Sequence, residues 1–177
     1  MRLKTILNYD LKFKCFCIGK SEFNEKKDSI IVEIKARTNS KPVCSICGTA
    51  SPGYDTLPER LFEFVPMWGL RVFFRYAMRR VSCPQCKRVV VEAVPWCDGK
   101  NHFTNHYAAF LASWAKELSW KSVAAHFHTS WQTVCSAVES VVNYGLTHRN
   151  LDSVTALGVD EIAWHKGHKY LTLVYQI

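Results

Sequence analysis

Cys44, Cys47, Cys83 and Cys86 stand in two Cys-x-x-Cys pairs, the residue types and spacing in this chain that speak most directly of chemistry. One pair bends into a knuckle that offers two thiolates. Two knuckles close a tetrahedral four-sulfur site, which holds Zn2+ structurally because no coordination position is left for water. Gly48, directly after Cys47, is expected to relieve crowding where the backbone turns back toward the metal, and Pro84 presets the second turn. A finger with two cysteines and two histidines finds no support, since no histidine follows Cys47 at finger spacing. Cys15, Cys17, Cys97 and Cys135 read as scattered thiols. No apolar run follows Met1-Arg2-Leu3-Lys4, so the paired cysteines suit metal in a reducing compartment better than disulfides. Two unrelated thiol pairs are the plainer alternative.

Charge supplies a second signal. The 177 residues carry 23 Lys/Arg against 15 Asp/Glu, a net charge of +8 that favours an anionic partner. The imbalance lies in front: residues 1–90 hold 17 basic and 8 acidic residues, residues 91–177 only 6 and 7. Between Leu70 and Arg79 the pattern alternates, with Arg71, Arg75 and Arg79 on one side of a strand and Val72, Phe74, Tyr76 and Met78 on the other. With Arg80 and Arg88 nearby, such a stripe suits phosphate contact that weakens with salt. Solubilising an apolar sheet is the bland reading of the same arginines. No apolar run is long enough for a membrane span.

These groups need elements to position them. Ser29 to Arg37 alternates as a strand, with Ile30, Val32 and Ile34 on one side. Lys12 to Ile18 is its expected partner across a polar turn at Asn24–Asp28. The long stretch between the knuckles predicts an expanded zinc ribbon. After an irregular segment from Pro95 to Asn105, Phe110, Leu111, Trp114 and Leu118 recur at helical spacing behind a candidate cap, Thr104. Trp120 to Phe127 predicts a shorter helix, His128-Thr129-Ser130 a turn, and Trp131, Val134, Val138 and Val141 the apolar stripe of a third helix capped by Ser130. Three helices so linked match a helix-turn-helix, in which the residues after the turn meet base edges in the major groove. Gln132 and Thr133 fall there, off the stripe, and Lys121 is placed to meet phosphate. Plain helical packing is the competing reading, and His126 and His128 suit surface or turn roles.

Val154 to Trp164 and Lys169 to Ile177 predict two arms of a hairpin turning at Trp164–His168 with Gly167 as the permissive position. Asp160 stands in the first arm, within Leu157-Gly158-Val159-Asp160-Glu161-Ile162-Ala163. A carboxylate in so apolar a strand is costly unless exposed, paired or metal-bound. Asp160 and Glu161 leave on opposite faces, so by themselves they form no clamp for two Mg2+ ions.

Taken together, these pieces resemble the ISL3 family of insertion-sequence transposases, the group with IS204/IS1001/IS1096/IS1165-like members. The residues carrying the resemblance are Cys44-x-x-Cys47-Gly48, Cys83-x-x-Cys86, Val123-Ala124-Ala125 through Ser130-x-x-Thr133-Val134, Gly158-Val159-Asp160-Glu161-Ile162-Ala163, and Lys166-Gly167-His168-x-Tyr170. The resemblance covers nearly everything from about Lys41. It implies a zinc-binding domain and a helix-turn-helix that recognise the terminal inverted repeats of double-stranded element DNA, followed by an RNase H-like domain of the Asp-Asp-Glu kind. Asp160 matches the first catalytic carboxylate, a Mg2+ ligand in the full-length catalytic domain. No catalytic role is carried over to Glu161.

The expected architecture is α+β: a β-rich zinc-binding domain over 1–94, a helix-turn-helix domain over 95–146, and the start of a truncated RNase H-like domain over 147–177. The later carboxylates would lie downstream, so the chain is expected to be catalytically incomplete, cytoplasmic and nucleoid-associated. Homodimerisation would suit paired element ends. Two other readings stand beside this one: a stand-alone zinc-containing regulator that competes for the repeats, and a zinc-stabilised protein-interaction module without salt-dependent duplex binding.

Overall fold

A computed structural model describes residues 3–98, 100–152, 154–165 and 169–176. The fold is mixed α+β and divides into two compact units, Met1–Val141 and Val142–Ile177.

The first unit is built on a five-stranded sheet. Helix α1 (Leu3–Leu11) was not anticipated, although Leu3, Leu7 and Leu11 recur every fourth residue; they pack against the sheet core. Strand β1 (Phe16–Asn24) runs later than the expected Lys12–Ile18, with an irregularity between Ile18 and Ser21. A short 3-10 turn at Glu25–Lys27 ends on Asp28 with a left-handed backbone (φ 41°) and leads into β2 (Ser29–Ala36), where the anticipated side is buried. Strands β3 (Gly53–Met67) and β4 (Leu70–Cys83) form a long antiparallel hairpin, and β5 (Arg88–Val91) folds back on the end of β4. The order is β1-β2-β4-β3, with β2 and β4 parallel over Ser29–Glu33 and Arg71–Arg75. A parallel pair needs a long connection, here supplied by the first knuckle and β3. Trp68 and Gly69 both take positive φ (54° and 77°) at the β3–β4 tip, the pairing that a tight two-residue hairpin turn demands.

Val72, Phe74, Tyr76 and Met78 are buried, as the alternation predicts. They meet Ile30, Val32, Ile34, Phe62 and Phe64 in the main core. Each such side chain contributes about 1.5–3 kcal/mol by leaving water. Trp96 closes the core inside an aromatic nest of Phe13, Phe16, Phe62 and Tyr76, with ring centroids 4.9–6.1 Å from its own.

Helices α2 (Asn105–Trp114), α3 (Trp120–His126) and α4 (Trp131–His148) follow. Thr104 caps α2 by accepting the Tyr107 N–H at 3.2 Å, and Ser130 caps α4 by accepting the Thr133 N–H at 3.0 Å. Ser119 caps α3 in the same way. Their core is Tyr107, Ala108, Leu111, Val123, Ala124, Val134 and Ala137. Trp131, expected on the apolar stripe, is 49% exposed; the stripe begins at Val134. The segment before α2 lies parallel to β3: Glu63 donates its N–H to the His102 carbonyl and accepts from the Thr104 N–H, both at 2.8 Å. Asn105 N–H bonds the Trp96 carbonyl at 2.8 Å. Hydrogen bonds thus cross the expected boundary at 94/95, and the division between compact units falls inside α4.

The second unit contains the hairpin of β6 (Leu157–His165) and β7 (Lys169–Gln176), antiparallel, with Asp160 opposite Leu173. The expected turn residues Lys166, Gly167 and His168 lie outside the described residues.

Candidate metal centre and nucleic-acid interface

The two knuckles converge. The sulfurs of Cys44, Cys47, Cys83 and Cys86 all lie within 4.8 Å of one another, with Cys44–Cys86 at 3.9 Å and Cys47–Cys83 at 3.5 Å. A tetrahedron with Zn–S bonds of about 2.3 Å sets its sulfurs about 3.8 Å apart, so the cluster can hold a metal ion and is compatible with structural zinc. Backbone geometry builds each half. Gly48 sits at φ 72° and its N–H reaches the Cys44 carbonyl at 3.0 Å; Lys87 holds the corresponding place after Cys86 at φ 53°. A Cβ on Gly48 would meet nothing within 4 Å. Glycine is therefore favoured there by its left-handed backbone rather than by the crowding expected from sequence.

The surroundings favour the thiolate of Cys83 and of Cys47. The Cys86 N–H points at the Cys83 sulfur (3.4 Å) and, with help from Ser51, brings that thiol down to about 6. Hydrogen bonds from the side chain and backbone of Thr49 lower Cys47. Cys86 is pushed up to about 12, first by its contact with Cys47 and then by desolvation. Thr49 also donates to the Gln85 side-chain carbonyl at 2.7 Å, tying one knuckle to the other.

Glu92, overlooked in the sequence, fastens this centre to the sheet. It pairs in a β-bridge with Cys44, and its carboxylate is wholly buried. Tyr76 Oη donates to it at 2.6 Å, the Arg79 backbone N–H at 2.8 Å, and the Arg79 guanidinium at 2.7–3.1 Å. Arg79 also donates to the Ser40 carbonyl at 3.1 Å. Burial first, then the bond to Glu92, pushes the Tyr76 phenol well above its ordinary range.

The other arginines of β4 are likewise engaged. Arg71 bonds Glu63 at 2.8 Å, Arg75 approaches Glu22 at 3.6 Å and Glu59 at 3.9 Å, and Arg80 pairs with Asp55. Arg71, Arg75, Arg79 and Arg80 therefore share one strand, each beside a carboxylate. The guanidinium of Arg80 holds the Asp55 carboxyl below the usual range.

In the helices, Phe127–Ser130 forms the turn between α3 and α4. His128 takes φ 51°, and the Thr129 N–H returns to the Ala124 carbonyl at 3.0 Å, a left-handed stop that ends α3. Gln132 and Lys121 are exposed, and Thr133 is half-buried with its hydroxyl 2.9 Å from that of Ser130. The structure thus puts Gln132 and Thr133 in the first turn of α4, and Lys121 in the first turn of α3.

Asp160 is exposed, and its Oδ1 accepts the Glu161 N–H at 2.8 Å. Ile162, Leu171 and Leu173 share its face of the hairpin, while Glu161 lies on the other. Among the described residues Asp160 belongs to no group of three or more clustered His, Cys, Asp or Glu side chains. Gly158 has a steric reason: a Cβ there would come within 2.5 Å of the Tyr175 ring opposite.

No family model and no solved structure matches this chain. Among curated proteins, it is 25% identical over 132 residues to the transposase for insertion sequence element IS1001 of Bordetella parapertussis, covering 75% of this chain and 32% of that protein. It is 29% identical over 152 residues to the transposase for insertion sequence element IS1557 of Mycobacterium tuberculosis, covering 82% of this chain and 33% of the relative. No helix among the described residues is long and apolar enough to cross a membrane. The chain spans about a third of the length of the curated relatives it matches, both of them insertion-sequence transposases.

Proposed function

We propose that this chain is the DNA-binding portion of an ISL3-family transposase, recognising the terminal inverted repeats of its element. The observation that carries this reading is the capped, left-handed-stopped turn that leaves Gln132 and Thr133 in the first turn of α4. Similarity to two insertion-sequence transposases gives that geometry its context. In this reading Zn2+ braces the knuckles without taking part in chemistry, because four thiolates fill its coordination. Gln132 and Thr133 read base edges and Lys121 meets phosphate. The β4 arginines, each beside a carboxylate, first brace the sheet and reach phosphate only with what their partners leave free. Asp160, exposed in the first arm of the hairpin, is the first carboxylate of an RNase H-like site. Pairing of two element ends would call for a homodimer.

Titration of the chain with inverted-repeat duplex and with a shuffled duplex, each at several salt concentrations, tests the proposal. Tighter binding to the repeat is expected, with both affinities falling as salt rises. Equal affinities for repeat and shuffle would overturn the recognition role, and no salt-dependent binding to either would favour a protein-interaction module.

A further inference from the structure

The segment Lys100–His102 turns three consecutive carbonyls inward. Those of Lys100 and Asn101 both accept from Arg60 Nη2, the latter at 2.9 Å. The Cys97 thiol adds a donor to Asn101 at 3.2 Å, and the Glu63 N–H holds the His102 carbonyl at 2.8 Å. Arg60 itself lies over the Phe62 ring, 5.0 Å from its centroid, with its Nε buried and unpartnered. It acts as a strut for the loop rather than as a surface cation.

With the backbone pinned, the Lys100 and His102 side chains stand exposed. They line one wall of a cleft of about 280 Å3, and Gln132, Thr133 and Ser136 of α4 line the other. The acidic group in the cleft, Glu63, is already bonded to Arg71. What remains to meet a partner is an ammonium, an imidazole, amides and hydroxyls, a donor-rich set that suits phosphate oxygens beside base edges.

We propose that the Lys100–His102 loop is a second duplex-contact element. Lys100 and His102 meet the DNA backbone beside the bases faced by Gln132 and Thr133, and Arg60 is the residue that positions them. The inference rests on the DNA-binding reading of α4 and adds to it a part outside the helices. A loop already fixed loses little conformational freedom on binding, so its contacts are not offset by ordering.

The test uses the full chain and a random-sequence duplex, titrated at several salt concentrations. Lys100→Ala combined with His102→Ala is expected to weaken binding and to flatten the plot of log affinity against log salt by about 0.9 for each phosphate that is no longer neutralised. Lys4→Ala, which removes an exposed charge on α1, should leave that slope as in the parent. Arg60→Lys keeps the charge and loses the two-carbonyl clamp. It should weaken binding several-fold in the parent chain and have no further effect in the Lys100→Ala/His102→Ala background, whereas a merely structural role would cost the same in both. If the loop variant matches Lys4→Ala in affinity and slope while Lys121→Ala, which removes the phosphate contact assigned to α3, weakens binding, the loop proposal is overturned and the helix reading stands. If the parent chain shows no salt-dependent binding, both fall.

Discussion

Replacing Glu92 with alanine should be among the most damaging single changes outside the cysteines. The carboxylate is wholly buried, and Arg79 opposite it is 19% exposed. Its loss strands the Tyr76 hydroxyl, leaves the Arg79 guanidinium with only the Ser40 carbonyl, and removes the acceptor for the Arg79 N–H. Removing one partner of a buried pair typically costs about 3–5 kcal/mol. The partial exposure of Arg79 and its surviving bond argue for the low end, about 3 kcal/mol, against a total stability of about 5–15 kcal/mol for an ordinary domain. Urea unfolding of the metal-loaded chain measures this as a lower midpoint with an unchanged slope. Replacing both partners, Arg79→Met with Glu92→Met, should recover only the part of the loss due to the unpaired guanidinium, since no charge is then left buried while the Tyr76 hydroxyl and the Arg79 N–H still lack their acceptor. The same double variant should retain the salt dependence of duplex binding if Arg79 is a brace. A cost below about 1 kcal/mol for Glu92→Ala, or a flattened salt plot for the double variant, would refute the reasoning and return Arg79 to the DNA surface.

The metal centre should bind one Zn2+ per chain, and Cys83→Ser should lower the metal content measured by atomic emission and disturb folding of the knuckles, because metal binding there is folding energy; unchanged stoichiometry would contradict the four-sulfur assignment. Gly48→Ala should destabilise the first unit by about 1 kcal/mol through its left-handed backbone, whereas Lys87→Gly at the matching place should be neutral or stabilising in thermal melts. In the hairpin, Leu157, Val159, Ile162, Leu171, Leu173 and Val174 are exposed, and a two-stranded ribbon with both faces in water is marginal. Amides of β6 and β7 should therefore exchange with deuterium much faster than those of β4; equal protection in a dilute monomer would count against that.

Legibility tracked how local each signal was. The knuckles, the β2 and β4 alternation, and the Thr104 and Ser130 caps depend on residues within a few positions, and all appear where the sequence puts them. Strand β3 was not individually legible because Pro58 and Pro66 break its alternation. The ladder accommodates them at irregularities between Thr56 and Glu59 and between Phe64 and Met67. Helix α1 was missed although its leucine spacing was available. For Trp131, a large aromatic at helical phase mimicked the core, yet smaller Ala137 fills the interior position. Glu92 and the Lys100–His102 loop were beyond local reading: their meaning comes from partners up to 41 residues away, brought near by the hairpin.

Trp96 offers a built-in optical reporter. Of the tryptophans whose side chains are described it alone is sealed from water, while Trp68, Trp114, Trp120 and Trp131 are exposed. Among the tryptophans whose side chains are described, the blue-edge emission that a soluble quencher fails to reach therefore belongs to this indole. Its carbonyl holds the first residue of α2, and its ring is wedged among the sheet aromatics. A loosening of the joint between metal-braced sheet and helices would register as a red shift of that one component.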